Sequence, residues 1–556
     1  MPTYDGRLEL TWTNKHLRLL AHEDGSYEWV SPTDYRVAEV RLLNDVTAMG
    51  EVGRDRAADN LLIRGDALNA LTSLAKLPEF AREYLGKVKL AYLDPPFNTQ
   101  QSFLQYDDAL EHSVWLTMMR DRLLQIKDLI SAEGSVWVHC DDSEQHRLRC
   151  TLDEVFGPAS FVATVIWQKR YSRDNRPAIG PVHDFIHIYA PAGQGWKAFR
   201  NHVRREQASQ YRNPNGDPRG PWRPIPMTAQ GYRPNQMYDI VTPAGVVHKP
   251  PKGRCWSMVR ETYDELLAAG KIYFGQDGRG QPNVIRYLDE DEGLVPWTWW
   301  PHDEAGHTDE AKKEILALYP DVEPFGTPKP ERLMRRIIEI ATNPGDVVLD
   351  CFAGSGTTAA VASKTRRRWI AVERESLTIE TYMLPRLSKV ATGEDRGGIT
   401  EAVGWQGGDG FRVLEVAPSM FEADGGLVFL ADWMTNGTLA EATAAQLGFA
   451  YEPDPPFVGR KGRTRLAVID GGVNEDVVRL IVSALPERER VVICGTGIDP
   501  AARPVLRDIR PGSTLRKIPS ALLDQYRLSS QRQYGVESAS ISATPDGTAK
   551  SVEGER

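Results

Sequence analysis

Paired cysteines are missing from this chain. Its five cysteines, Cys140, Cys150, Cys255, Cys351 and Cys494, are scattered and odd in number, and no Cys-x-x-Cys occurs. Neither a disulfide framework nor a zinc site is supported, and no metal is expected. Long apolar runs are missing as well. No stretch reaches the roughly 18 residues read as a membrane span, and the opening Met1-Pro2-Thr3-Tyr4-Asp5-Gly6 is nothing like a signal peptide. The expectation is a soluble, cytoplasmic protein without membrane contact. Positive charge is in deficit. A net charge of −9 argues mildly against a protein that coats nucleic acid non-specifically, while leaving room for local basic patches. The 556 residues, 41% hydrophobic and 26% charged, are of ordinary globular composition. They suffice for about two to four domains.

What the chain does contain is a strand–helix alternation beginning at Asn60. A short strand at Leu61-Leu62-Ile63 leads through Arg64-Gly65-Asp66 to a helix over 67–77, apolar at Leu68, Leu71, Leu74 and Leu77. A strand at Val88–Leu93 follows, then a helix over 115–130 ended by Gly134, a strand over 135–139 and a helix over 144–156. Strands at 161–167 and 185–189 close this half. The pattern returns at Lys329, with a helix at Glu331–Ala341, a strand over 346–350, a helix over 356–363 and a strand over 369–373. Such alternation predicts an α/β fold, a mostly parallel sheet with helices on both faces.

Between about 192 and 300 the pattern breaks into a Pro-, Gly-, Arg- and Trp-rich segment. Arg200, Arg204, Arg205, Arg212, Arg219 and Arg223 are opposed by Glu206 and Asp217 alone, and Tyr211, Trp222, Tyr232, Tyr238 and Trp256 interleave with them. That composition suits a nucleic-acid surface, and a solvated loop is the alternative. After about 400 a smaller α/β unit is expected, with strands near 427–430, 466–469 and 491–494. A polar, Ser/Gly-rich tail follows from about 528, expected to be disordered.

Two stretches carry chemistry. In the first, the apolar run Leu90-Ala91-Tyr92-Leu93 ends in Asp94-Pro95-Pro96-Phe97. The prolines fix their own φ and keep the preceding residue extended, so the loop leaves the sheet stiffly and holds a carboxylate, a carbonyl and a ring in fixed relation. A Pro-rich turn would look the same. The second is Val347-Val348-Leu349-Asp350-Cys351-Phe352-Ala353-Gly354-Ser355-Gly356-Thr357-Thr358-Ala359, a strand, a Gly-rich turn and a helix start. Backbone N–H groups in this geometry approach a nucleotide-like ligand, and Glu373 stands near the ribose position. No Gly-Lys-Ser/Thr follows, so a P-loop is excluded. The glycines alone do not separate a NAD site from an S-adenosylmethionine site.

Asp94 to Phe97 and Phe352 to Gly356, in that order around a basic insert, resemble the two signatures of β-group DNA amino-methyltransferases. Within that family the chain is most similar to the modification subunits of type III restriction systems. Lys329-Pro330 before a helix and Arg64-Gly65-Asp66 before another match the family's flanking elements. The resemblance, over roughly 60–390, implies a Rossmann-like S-adenosylmethionine-dependent methyltransferase fold. It implies methyl transfer to the N6 amino group of a flipped adenine in duplex DNA, with N4 of cytosine as the alternative. A NAD-dependent oxidoreductase and a non-catalytic DNA-binding subunit are more distant alternatives.

By position the resemblance gives Asp94, Pro95, Pro96 and Phe97 the catalytic role. It gives Asp66, Lys329, Asp350, Phe352, Gly354, Gly356, Thr357 and Glu373 to the cofactor. Asp350 stays open between a ligand for the cofactor's amino-acid end and a strand-end cap, and Thr357 between a contact to the cofactor carboxylate and a helix cap. The six arginines from Arg200 to Arg223 become DNA contacts. The implied partition is a cap (1–55), a catalytic part (56–191), a target-recognition insert (192–300), a cofactor-binding part (301–400), a small C-terminal α/β domain (401–527) and the tail. Double-stranded DNA is the implied partner. A homodimer and a restriction (helicase–nuclease) subunit are further candidates, and the C-terminal domain, which departs from the type III pattern, leaves the restriction subunit open.

Other features point away from chemistry. Asp454-Pro455-Pro456-Phe457 repeats the tetrapeptide without an apolar strand before it and reads as a turn. His139-Cys140-Asp141-Asp142 reads as a strand end, and Trp297, Trp299 and Trp300 as core, with lining of the DNA cleft as the alternative. Arg460-Lys461-Gly462-Arg463 with Arg465 is either a phosphate contact or a solvated loop.

Overall fold

A computed structural model describes residues 9–22, 26–98, 111–173, 177–203, 211–213, 216–288, 293–323, 325–424, 427–524 and 526. The chain divides into two compact units, one formed by 1–200 with 297–556 and the other by 201–296.

The first unit is built on a ten-stranded sheet. In chain order its strands are β1 (Leu43–Gly50), β2 (Asn60–Arg64), β3 (Val88–Leu93), β4 (Ile130–Cys140), β5 (Phe161–Gln168), β6 (His183–Tyr189), β7 (Trp299–Trp300), β8 (Val347–Asp350), β9 (Arg368–Glu373) and β10 (Gly410–Val416). Their spatial order is β7-β5-β6-β4-β3-β8-β9-β2-β10-β1. The central run from β4 to β10 is parallel throughout. β6 runs antiparallel between β4 and β5, and β1 is an antiparallel edge on β10. Helices α1 (Ala67–Lys76), α2 (His112–Leu129), α3 (Gln145–Phe156), α4 (Glu331–Ala341) and α5 (Thr357–Lys364) connect these strands.

The pattern has a direct cause. A parallel strand covered on both faces needs apolar side chains without alternation, and Leu61, Leu62 and Ile63 are all fully buried. Each such side chain contributes roughly 1.5–3 kcal/mol. In α4, Leu333, Met334, Ile337, Ile338 and Ala341 bury one face at helical spacing.

Several expectations shift. Gly134 does not end α2, which stops at Leu129; it lies inside β4. A Cβ there would come within 2.9 Å of the Val88 carbonyl and 3.0 Å of the Lys89 carbonyl, so close strand approach requires the glycine. The sheet also reaches beyond 56–191 and 301–400. β1 comes from the segment expected as a cap and β10 from the segment expected as a separate domain, because the edge positions beside β2 are filled by non-local pairing.

The C-terminal segment forms a five-stranded sheet in the order β11 (Ala450–Asp454), β12 (Phe457–Lys461), β13 (Thr464–Val473), β14 (Arg490–Ile498), β15 (Thr514–Lys517). It carries helices α6 (Asn436–Leu447), α7 (Glu475–Ser483) and α8 (Ala502–Ile509). Asp454 and Phe457 pair across the β11–β12 turn, which gives the second Asp-Pro-Pro-Phe its place. The expected tail from 528 lies outside the described residues.

The second unit pairs Trp222–Pro226, Asn283–Tyr287 and Ile272–Tyr273 in a small antiparallel sheet, with two short ribbons and one α-helix, Arg260–Ala268, among its described residues. Its core includes Met227, Ile240, Trp256, Tyr263 and Phe274. No described helix is long and apolar enough to cross a membrane.

Candidate active site

The carboxyl ends of β3, β8, β9 and β2 lie side by side, and each carries one of the acids singled out in the sequence. Val348 pairs with Leu90, Ala371 with Asp350, and Glu373 with Arg64. Asp94 and the Phe352–Gly356 turn, more than 250 residues apart, are thereby neighbours. The crevice at the carboxyl ends of an open α/β sheet is where ligands bind in such folds.

A cavity of about 980 Å³ opens there. Its wall includes Asp66, Asp94, Pro95, Pro96, Phe97, Lys329, Asp350, Phe352, Gly354, Thr357 and Glu373. Gly356 is not part of the wall and turns the chain behind it. Its φ is +76°, and a Cβ would sit 2.9 Å from the Met383 Cγ. Gly354, at φ +50°, faces the Phe325 ring.

The β3 loop is held from several sides. Trp115 Nε1 donates to the Pro96 carbonyl at 2.6 Å, and the Asn98 amide, at φ +60°, donates to Glu144 at 2.8 Å. Lys329 Nζ donates to Asp94 Oδ2 at 2.5 Å and lies 5.1 Å from the Phe97 ring centroid. Expected at the cofactor, Lys329 has its ammonium on the Asp94 carboxylate. The other oxygen, Asp94 Oδ1, is buried and has no hydrogen-bond partner among the described residues.

Beneath the loop runs a buried chain that sequence reasoning missed. Phe97 stacks on the His139 ring, with centroids 5.5 Å apart and planes 25° from parallel. His139 is fully buried between Tyr92 Oη, 3.0 Å from Nδ1, and Asp184 Oδ2, 3.2 Å from Nε2. Lys169 Nζ caps Asp184 Oδ1 at 2.5 Å. Burial, and then the Lys329 charge, push the His139 pKa down. The neutral ring donates from Nε2 to the carboxylate, an acceptor only, and accepts the Tyr92 hydroxyl proton at Nδ1. Burial raises the Asp184 pKa, but the His139 hydrogen bond, the charge His139 carries once protonated at low pH, and the Lys169 charge outweigh it and bring the carboxyl to about 2. The available signal was Asp184 itself, an acid directly before the run Phe185-Ile186-His187-Ile188-Tyr189, which demands a partner once the strand is buried.

The acids expected to hold the cofactor are already engaged. Glu373 accepts from the backbone N–H groups of Gly354 at 2.8 Å, Arg374 at 2.8 Å and Glu375 at 3.0 Å. Burial pushes its pKa up, and those bonds partly offset it. Asp350 accepts from Phe352 N at 3.0 Å and Thr358 Oγ1 at 2.6 Å, the geometry of a strand-end cap. Burial, with the Asp94 and Glu373 charges adding to it, pushes Asp350 up to about 7. Asp66 caps α1 through Leu68 N at 2.8 Å and pairs with Arg122 at 2.8 Å. Thr357 does not cap α5, since Gly356 occupies that position; its hydroxyl accepts from Arg386 at 2.8 Å.

The expected DNA contacts separate. Arg204 and Arg205 lie outside the described residues. Arg200 belongs to the first unit. Arg219 is a staple of the second, donating to Asp217 at 3.0 Å and to the Ala269 carbonyl at 3.2 Å. Arg212 is exposed, and Arg223 lies over the Tyr211 ring. Tyr211, Trp222 and Trp256 are core, because a small antiparallel unit needs them for burial; Tyr232 is exposed. Trp300 is buried, whereas Trp297 and Trp299 are about half exposed, contrary to expectation.

Comparison with known proteins places the chain among DNA methylases. The StyLTI Mod subunit of a type III restriction-modification enzyme from Salmonella typhimurium is 31% identical over 344 residues, which is 55% of this chain and 50% of that protein. The type II methyltransferase M.EcaI from Enterobacter cloacae is 28% identical over 307 residues, 53% of this chain and 64% of the relative. The EcoP15I Mod subunit from Escherichia coli is 24% identical over 444 residues, 65% of this chain and 66% of that protein. The chain thus spans only part of these relatives, about half the length in the first case. The N6/N4 DNA methylase profile matches residues 88–383, more than half of the chain and both halves of the cavity, and the chain belongs to that DNA methylase family.

Proposed function

We propose that the chain transfers a methyl group from S-adenosylmethionine to the N6 amino group of an adenine flipped out of duplex DNA, in a restriction-modification or phage-defence setting. The observation that carries this reading is the state of Asp94. One oxygen is pinned by Lys329 and the other is buried and unpartnered on the cavity wall. A buried acceptor left unsatisfied costs about 1–3 kcal/mol, so the site favours a ligand that brings a donor.

An exocyclic amine brings two. Asp94 Oδ1 accepts one N–H and the Pro95 carbonyl the other, which draws the nitrogen lone pair out of conjugation with the ring. Phe97, clamped on His139, offers a stacking surface beside them. Stacking returns about 1–3 kcal/mol, against a flipping cost of a few kcal/mol. Positioning then does most of the work, because the donor is already activated. Asp94 takes the proton that the methylated amine sheds.

The opposite wall fits the cofactor. Its acids, Asp66, Asp350 and Glu373, offer acceptor oxygens to a ligand with hydroxyl and amino donors. Glu373 retains acceptor capacity beyond its three backbone bonds, since a carboxylate offers about four lone-pair sites. Bound there, S-adenosylmethionine would supply a methyl group already activated on a sulfonium. An aspartate rather than a serine at position 94 favours adenine over cytosine by family tendency. Residues 192–300 serve as the target-recognition insert, with Arg212 and Arg223 as DNA contacts. A restriction (helicase–nuclease) subunit and a second copy of the chain are the further partners proposed.

Modification-detecting sequencing of DNA from an expressing host tests the reading. N6-methyladenine at a defined motif is the expected outcome. N4-methylcytosine would select the other amine, and unmodified DNA would refute the proposal.

A further inference from the structure

The C-terminal unit gathers arginines at one end of its sheet. Arg460, Arg463 and Arg465 surround the β12–β13 turn, Arg488 and Arg490 stand where β14 begins, and Arg510 precedes β15. They form one surface. The Arg490 backbone N–H donates to the Arg463 carbonyl at 3.0 Å, and Arg510 Nε donates to the Glu489 carbonyl at 2.9 Å. Arg460 and Arg465 converge on the Glu489 carboxylate at 3.2 and 2.7 Å. The Arg490 guanidinium lies along Gly512, where a Cβ would come within 2.9 Å of its Nε.

The opposing charge is small. Six guanidiniums face Glu487 and Glu489 in these turns, with Asp454 at 3.9 Å from Arg465 and the Glu452 charge also acting on it. Glu489 is taken up by Arg460 and Arg465, while Arg463, Arg488 and Arg490 point their charge at solvent from exposed positions. In a chain of net charge −9 this is a local reversal of sign. Its chemistry is also selective. Lys461 Nζ is turned inward onto the Leu447 carbonyl, which leaves a surface of arginine forks, the side chain that matches phosphate oxygens in a bidentate fashion.

We propose that this surface binds the phosphate backbone of duplex DNA without reading sequence, as a second contact outside the target-base cavity. The inference rests on the methyltransferase reading, which requires a duplex to be held while one base leaves the stack.

The full-length chain carrying Arg463→Gln, Arg488→Gln and Arg490→Gln tests it by fluorescence anisotropy with labelled duplex over a salt series. Each lost phosphate contact removes about 0.9 from the slope of log K against log salt, so the slope should flatten by about 2 to 3. Affinity should fall for cognate and unrelated duplexes alike. Cofactor Kd and kcat at saturating DNA should stay within twofold of wild type. Equal slopes for variant and wild type overturn the proposal and hand the surface to an acidic protein partner or to solvent. If the triple variant fails to fold, Arg463→Gln with Arg488→Gln, both in turns, should flatten the slope by about 1 to 2 on the same count. A wild-type chain that binds no duplex removes the methyltransferase reading together with this one. A wild-type chain that methylates DNA, with unchanged slopes in the variants, removes this one alone.

Discussion

At the scale of single residues, Asp94 and Lys329 form a pair with divided labour. Lys329 occupies Oδ2 and leaves Oδ1 without a partner among the described residues, the oxygen that the proposed reaction assigns to the target amine. Asp94→Ala should still bind cofactor while kcat falls on the order of 10²–10³-fold, the usual loss of a preorganised hydrogen-bonding group at a reacting centre. Retained methylation would refute the role given to Asp94. Lys329→Met separates two roles. Acting on Asp94, it lowers kcat with cofactor Kd within twofold of wild type. A raised cofactor Kd with unchanged kcat would return Lys329 to the cofactor, where sequence reasoning put it. That reasoning found Asp66, Asp94, Asp350 and Glu373 because acids at the ends of apolar strands leave a local trace, and it missed Asp141, Asp184 and Glu375, which also line the cavity. It missed the Lys329–Asp94 contact because the two stand 235 positions apart in the chain.

At the scale of elements, the His139–Asp184–Lys169 chain ties β4 to β6 and to the end of β5, directly below the β3 loop. The sign of its pH dependence follows from the depressed carboxyl. Asp184 titrates near 3.9 when unfolded and at about 2 in the fold. The stability it contributes is present above pH 4 and is lost as pH falls toward 2, roughly 2–3 kcal/mol in all. Asp184→Asn should lower stability at pH 7 and flatten the acid limb of the denaturation midpoint between about pH 4 and 2. An acid limb identical to wild type would show that other carboxyls set it. The strands themselves were legible as apolar runs. Their neighbours were not, since β3 lies between β4 and β8, the latter supplied by a segment that follows the entire second unit.

At the scale of the whole molecule, the C-terminal segment is part of the first unit's core and not an appendage. Gln446 on α6 accepts from Val40 N at 3.0 Å and donates to the Val40 carbonyl at 2.6 Å, while the Tyr526 hydroxyl donates to it at 2.6 Å. Glu39 accepts from Met420 N at 2.7 Å. Gln446→Leu strands two buried backbone groups and should cost about 1–3 kcal/mol in chemical denaturation. A single transition is expected, because the segment shares the core; a separate early transition would mean that it folds independently. A boundary at 400 looked natural because the strand–helix pattern changes there. Yet β10 lies beyond it and pairs with β1 and β2.

The sequence by itself determined the fold class, the two chemical signatures and their order, because apolar period, proline stiffness and glycine turns act within a few residues. Only the tertiary structure decided what those signatures touch. Lys329 lies on Asp94, Phe97 rests on a neutral His139, and an arginine surface stands where β13 and β14 begin. Contacts of this kind depend on which strands become neighbours, and that is settled by burial summed over the whole chain rather than by any local run.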